Sequence, residues 1–216
     1  MSRSRLRAKN ISLRSTVLRI TKTVATLLVI SASCNISQLQ AQSTQTEWPT
    51  FRGADRSGTA PDTGLLTSWP KGGPKRLWKT SGAGQGYAGV AVAGGKLYTL
   101  GDGISGDKNE YLTCFNQADG KFQWKFQTGK PYTSVRKPSW QHSRSTPTVD
   151  GDRVYVLTPY GVLWCVGIDG KEKWKVDLVE DFASKKDDKW GYSESVLIDG
   201  DNLLCTPGGP KIRCSL

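Results

Sequence analysis

Three observations predict an all-β fold, a β-propeller of four-stranded antiparallel blades with about two and a half blades present. First, a phrase recurs. Leu112-Thr113-Cys114-Phe115-Asn116-Gln117-Ala118-Asp119-Gly120-Lys121-Phe122-Gln123-Trp124-Lys125 returns as Leu163-Trp164-Cys165-Val166-Gly167-Ile168-Asp169-Gly170-Lys171-Glu172-Lys173-Trp174-Lys175, and its Trp-Lys ending stands a third time at Trp78-Lys79. Second, a tight turn entering a strand recurs at Gly94-Gly95, Asp150-Gly151 and Asp199-Gly200. The spacing is about 46–56 residues, the range of propellers and solenoids, whose units cannot bury an apolar face alone. Third, Phe122, Trp124 and Phe126 alternate with Gln123 and Lys125, as in a strand with one face more buried than the other. No stretch carries a helical period.

Taken in order, residues 1–41 read as a signal peptide. Seven cations (Arg3, Arg5, Arg7, Lys9, Arg14, Arg19, Lys22) precede the apolar run Val24–Ile30, and no acid occurs before Glu47. The run is far shorter than the about 20 apolar residues that span a bilayer. Cleavage after Ala41 or near Ser33 yields a soluble exported product, a lipid on Cys34 yields a membrane-attached one, and an uncleaved anchor is the third outcome. The expected location is the periplasm, the outer membrane or the exterior. Without those seven cations, 23 Lys and Arg face 19 Asp and Glu, a net charge of +4 against +11 for the whole chain. That balance argues against a nucleic-acid partner, which requires a clustered basic footprint.

Residues 42–75 read as a linker and an irregular lead-in segment, Trp48–Gly58, whose aromatics serve as packing anchors. Residues 76–209 form the partial propeller. Arg76–Thr80 is expected as an orphan fourth strand. The first unit then has strands Tyr87–Val92, Lys96–Leu100, Tyr111–Asn116 and Phe122–Phe126. The second has Ser145–Val149, Arg153–Leu157, Val162–Ile168 and Lys173–Asp177, and the third supplies Ser193–Ile198 and Asn202–Thr206. Turn glycines Gly95, Gly120, Gly151, Gly170 and Gly200 suit hairpins that require positive φ.

The phrase resembles the PQQ-like (pyrroloquinoline-quinone-type) propeller repeat, whose blades end in Asp-x-x-x-Gly-x-x-x-Trp; the match lies at Ala118–Lys125 and Ile168–Lys175. The resemblance covers roughly Trp78 to Gly208. It implies that Trp124 and Trp174, with Trp78 as their third copy, dock one blade on the next. The family includes quinoprotein alcohol dehydrogenases, polyvinyl-alcohol dehydrogenases and the outer-membrane assembly lipoprotein BamB, which binds no cofactor. Two functions follow as expectations. One is an exported binding or scaffold module of the bacterial envelope, whose ligand is an envelope protein, a polymer or a small molecule. The other is the N-terminal part of a quinone-dependent alcohol dehydrogenase, with PQQ and Ca²⁺ present only in a longer form. The adjacent cysteine pair of the methanol-type enzymes is absent from this sequence, and so is Cys-x-x-Cys-His, the covalent haem signature. Residues 210–216 depart from the repeat, which reads as a truncated or frame-shifted end.

The residues single out no catalytic group and no metal site. Cys114 and Cys165 occupy equivalent positions on different sheets, which pack about 10 Å apart, beyond disulfide reach; they and Cys205 are expected as buried thiols, and Cys214 as a free one. Asp102, Asp107, Asn109 and Glu110 lack a calcium-loop register and are expected in a solvated turn. Gly82-Ala83-Gly84-Gln85-Gly86 precedes a strand, which excludes a dinucleotide loop. The best binding ground is the set of loops joining blades: Arg136, Trp140, His142 and Arg144 in one, Trp190 in the next. His142, the single histidine, has no partner identifiable in the sequence.

Overall fold

The computed structural model describes residues 47–133, 141–185, 190–208 and 214–215. The expected signal peptide, Cys34, Arg136 and Trp140 lie outside the described residues. Two four-stranded antiparallel sheets follow one another as up-and-down meanders. The first runs β1 (Ala91–Ala93), β2 (Lys96–Asp102), β3 (Glu110–Asn116) and β4 (Phe122–Gly129); the second runs β5 (Thr148–Asp150), β6 (Arg153–Leu157), β7 (Val162–Gly167) and β8 (Glu172–Asp177). A third sheet holds β9 (Leu197–Asp199), β10 (Asn202–Cys205) and β11 (Cys214–Ser215), with β10 central. These are the predicted propeller blades.

Burial explains the order. In β6, Val154, Val156 and Leu157 are fully buried and Tyr155 nearly so, because the second sheet is covered on both faces. Its strand therefore reads as a continuous apolar run and does not alternate. Leu100, Leu112, Val154, Val156 and Val166 fill the layer between the first and second sheets. Leu157, Leu163, Leu178, Val196 and Leu203 fill the layer toward the third. Each such side chain contributes about 1.5–3 kcal/mol on burial.

Four differences from the sequence expectation have physical causes. The innermost strands begin later than expected, at Ala91, Thr148 and Leu197. The residues before them bond to the neighbouring blade: Gly86 bridges Ser143 in parallel, and the Thr146 N–H donates to Ser195 Oγ. Arg76–Thr80 is not a hydrogen-bonded strand; no described ladder lies alongside it. A five-residue helix, α1 (Leu178–Phe182), stands in a loop read as irregular, capped by the Asp177 carboxylate on the N–H groups of Val179 and Glu180. It is too short to show a period, and the Asp-x-x-Glu cap was its only signal. Cys214–Ser215 supply a third strand where the repeat was expected to fail.

The lead-in segment is an ordered strap across the inner strands. Trp48 exchanges backbone hydrogen bonds with Val92 of the first blade at 2.8 Å, and the Val149 N–H of the second donates to Pro49 O at 2.8 Å. The Arg56 guanidinium donates to Val196 O, beside the third blade, at 2.6 Å. The strap thus lies against three successive blades, and at the first it sits near the turn end, where Glu47 accepts the Gly94 N–H.

Candidate functional site at the loop end of the first blade

Trp78 and Trp124 each lie across a turn glycine of a sheet. Trp78 lies over Gly120, where a Cβ would stand 2.6 Å from its ring, and donates to Gln117 O at 3.0 Å. Trp124 repeats this on the next blade: a Cβ on Gly170 would stand 2.8 Å from its ring, and its indole donates to Ile168 O at 3.1 Å. Both turn glycines have positive φ, so shape and backbone alike exclude a side chain there. Trp174 packs at 5.9 Å on Tyr155 and borders a cleft of about 180 Å³ that Asp150, Arg153 and Asn202 also line. The other turn glycines, Gly95, Gly151 and Gly200, also have positive φ.

An antiparallel meander sends its tight turns to one end of the sheet and its longer connections to the other. At the loop end, Asp102 closes β2 and Glu110 opens β3, directly opposite each other. Neither is solvated: Glu110 is fully buried and Asp102 is 1 % exposed. Glu110 accepts from Thr128 Oγ1 at 2.7 Å, at the end of β4, and from Ser143 Oγ at 2.5 Å. Burial pushes its carboxyl up to about 7 against those two donors, and the nearby Asp102 charge adds to the rise. Burial also raises the Asp102 carboxyl, with His142 opposing. The segment entering the second blade carries His142 and Ser143. It is pinned by the His142 N–H on Tyr132 O and by the Tyr87 N–H on Ser143 O.

His142 Nδ1 stands 2.7 Å from Asp102 Oδ1. The second oxygen, Oδ2, is buried with no hydrogen bond among the described residues. His142 is the member of the pair that solvent reaches, its side chain 32 % exposed against 2 % for Asp102. Its φ is 77°, a left-handed conformation that a side chain adopts at a cost of about 1–3 kcal/mol. Two residues on, the Arg144 guanidinium lies 5.0 Å from the Tyr87 ring centre and 5.2 Å from that of Trp190. Arg144, two residues along the chain from His142, and Trp190 therefore meet.

The second blade has none of this chemistry. Counted from the shared register, it places Pro159 where the first has Asp102, Gly161 for Glu110, Leu178 for Thr128, Gly191 for His142 and Tyr192 for Ser143. There the end is sealed by apolar packing, with Leu178 fully buried and Tyr192 seated over Gly161. Gly191 shares the positive φ of His142, so the first blade carries a histidine where its own repeat uses glycine. The Asp102–Glu110 pair was missed in the sequence because both were assigned to a solvated loop. A position-by-position comparison of the two units would have exposed it. Asp107, placed in the same loop, does lie there and turns back on Asn109 and the Tyr111 hydroxyl.

Among the described residues, no group of three or more His, Cys, Asp or Glu side chains is arranged to hold a metal ion. Both Glu110 oxygens already accept hydroxyl donors.

The profile of the PQQ-like repeat family described as outer membrane protein assembly factor BamB matches residues 62–177 and again 108–212. The chain belongs to that family. No curated protein matches it. Among solved structures, the quinohemoprotein alcohol dehydrogenase ADHIIG of Pseudomonas putida HK5 is similar at 19 % identity and TM-score 0.45, over 62 % of this chain and 18 % of its own. BamB from Moraxella catarrhalis is similar at 12 % identity and TM-score 0.31, over 54 % of this chain and 39 % of its own. The chain spans less than half the length of either.

Proposed function

We propose that this chain is an exported binding module of the bacterial envelope that takes its ligand at the loop end of its blades. The polar cluster of Asp102, Glu110, His142 and Ser143, present in the first of the two four-stranded repeats and replaced in the second, carries the reading. Packing residues recur from blade to blade because each blade solves the same burial problem. A buried carboxylate cluster is costly unless fully hydrogen-bonded, and this one keeps an unmatched oxygen on Asp102. That oxygen suits a ligand bearing a hydroxyl or amine donor. His142 and Arg144, with its aromatic neighbours Tyr87 and Trp190, form the rim. At the first blade the strap bonds the inner strand at Val92 and the turn end at Gly94. The basic, then apolar N-terminus and the family's envelope description support export.

Saturation-transfer NMR on the full chain, with a panel of polyols, amines and amino acids, tests the proposal. Saturable binding of a donor-bearing compound is expected. Asp102→Asn should weaken it about 10-fold or more, the effect of losing a charge-assisted hydrogen bond, and Asp169→Asn at the turn end should leave it unchanged. If no panel member binds, or if Asp102→Asn binds as the wild type does, the site is misassigned.

A further inference from the structure

The strap carries two arginines in the left-handed conformation, Arg52 at φ 68° and Arg56 at φ 58°. A side chain adopts that conformation at a cost, which is met where the residue has a use. The use of Arg56 lies in the fold, since its guanidinium donates to Thr50 Oγ1 and Val196 O. Arg52 has no such anchor: it is exposed, and no ion pair of the described residues involves it. It stands instead at a cavity of about 460 Å³, formed where the strap meets the residues entering β1 and lined also by Trp48, Phe51, Ser57, Val90 and Thr146. That volume lies within the range of small-molecule sites, about 300–1,000 Å³. The walls are mainly apolar. Phe51 and Val90 are 51 % and 47 % exposed, and the Trp48 ring is held over Gly53, where a Cβ would stand 3.0 Å from it. Arg52 is the one charged residue among those that line the cavity.

We propose that this cavity is a second binding site, which takes a small aromatic monocarboxylate: Arg52 holds the carboxylate, and Trp48, Phe51 and Val90 hold the ring. A guanidinium presents its donors as a planar fork that matches the two oxygens of a carboxylate. The fork is placed in advance. The Gly58 N–H donates to Arg52 O at 2.9 Å, and Arg52 Nε lies 3.6 Å from where a Cβ of Gly58 would stand. The strap itself is fixed by the paired backbone bonds of Trp48 and Val92, so little ordering is left for the ligand to impose. Ser57 Oγ accepts the Thr59 N–H at 3.0 Å, which leaves its own proton to donate. The two carboxylates nearest along the strap are engaged by backbone: Asp55 accepts the Ser57 N–H and Glu47 the Gly94 N–H. Neither lines the cavity. A single guanidinium matches one negative charge, whereas a phosphate dianion would meet no second cation there. The aromatic and branched walls in turn favour a ring over a small hydrophilic acid.

Saturation-transfer NMR of the full chain with phenylacetate tests the site. Saturable binding is expected, with transfer to the ring protons. Phenethyl alcohol keeps the ring and loses the charge, and acetate keeps the charge and loses the ring; each should bind about 10-fold or more weakly. Arg52→Gln should weaken phenylacetate by about 10-fold or more. Arg52→Gly should do the same without lowering the thermal midpoint, because glycine accepts the left-handed backbone. Asp102→Asn should leave phenylacetate binding unchanged, which separates this site from the loop end. The proposal is overturned if phenylacetate does not bind saturably, if phenethyl alcohol binds as well, or if Arg52→Gln binds as the wild type does. A lowered midpoint of Arg52→Gly would assign the residue to the fold, and weaker binding by Asp102→Asn would move the ligand to the loop end; either result also overturns it.

Discussion

Replacing Glu110 by glutamine should make the protein more stable at alkaline pH and alter it little at acid pH. In the folded chain burial lifts this carboxyl from 4.5 to about 7. A folded-state value above the unfolded one means that the native protein binds the extra proton. The stability that proton confers is fully present below pH 4.5 and is lost as pH rises through 7. The displacement corresponds to about 3 kcal/mol, at about 1.4 kcal/mol for each pH unit. Glutamine keeps the shape and an acceptor for one hydroxyl, while its amide can donate to the other, since Ser143 and Thr128 hydroxyls also accept. It has no charge to desolvate. Glu110→Gln should therefore match the wild type within about 1 kcal/mol at pH 4.5 and exceed it by about 2–3 kcal/mol at pH 8.5. Urea denaturation midpoints across that range measure the difference. Asp102 titrates in both proteins and cancels to first order. A stability difference that stays constant with pH would refute the argument, because it would mean that Glu110 ionises in the fold as it does in the unfolded chain.

The other predictions concern the docking tryptophans, the strap and the strained histidine. Trp124→Ala should cost about 2–3 kcal/mol, below the range for emptying a fully buried ring, because Trp124 is half-buried. Trp174→Ala should cost less, since its ring borders an open cleft and no turn glycine among the described residues lies against it; equal losses in denaturant would deny the docking role of Gly170. Arg56→Ala should cost about 1.5–3 kcal/mol through its bond to Val196 O, and hydrogen exchange should quicken at the Val149 amide if the strap lifts. His142→Gly should gain about 1 kcal/mol by relieving the left-handed φ while abolishing ligand binding in the NMR assay; a loss of stability would show that the Asp102 contact outweighs the strain.

The amino-acid sequence by itself determined the repeat and therefore the fold. Tryptophan at Trp124 and Trp174, glycine at Gly120 and Gly170, and cysteine at Cys114 and Cys165 recur because each blade meets the same packing constraints, and repetition leaves a visible trace. It also singled out His142, Arg144 and Trp190 as members of the loops that join blades, and the structure places Arg144 beside Trp190. Whatever does not repeat left no such trace. Asp102 and Glu110 are eight residues apart, and only β2–β3 pairing sets them face to face in the interior. Ser143 and Thr128 reach Glu110 from different segments, so their role depends on how the second blade lies against the first. The strap depends on contacts with three blades at once. Local pattern encodes which surfaces are buried, whereas the chemistry of the site comes from residues brought together across long sequence separations, which only the tertiary structure decides.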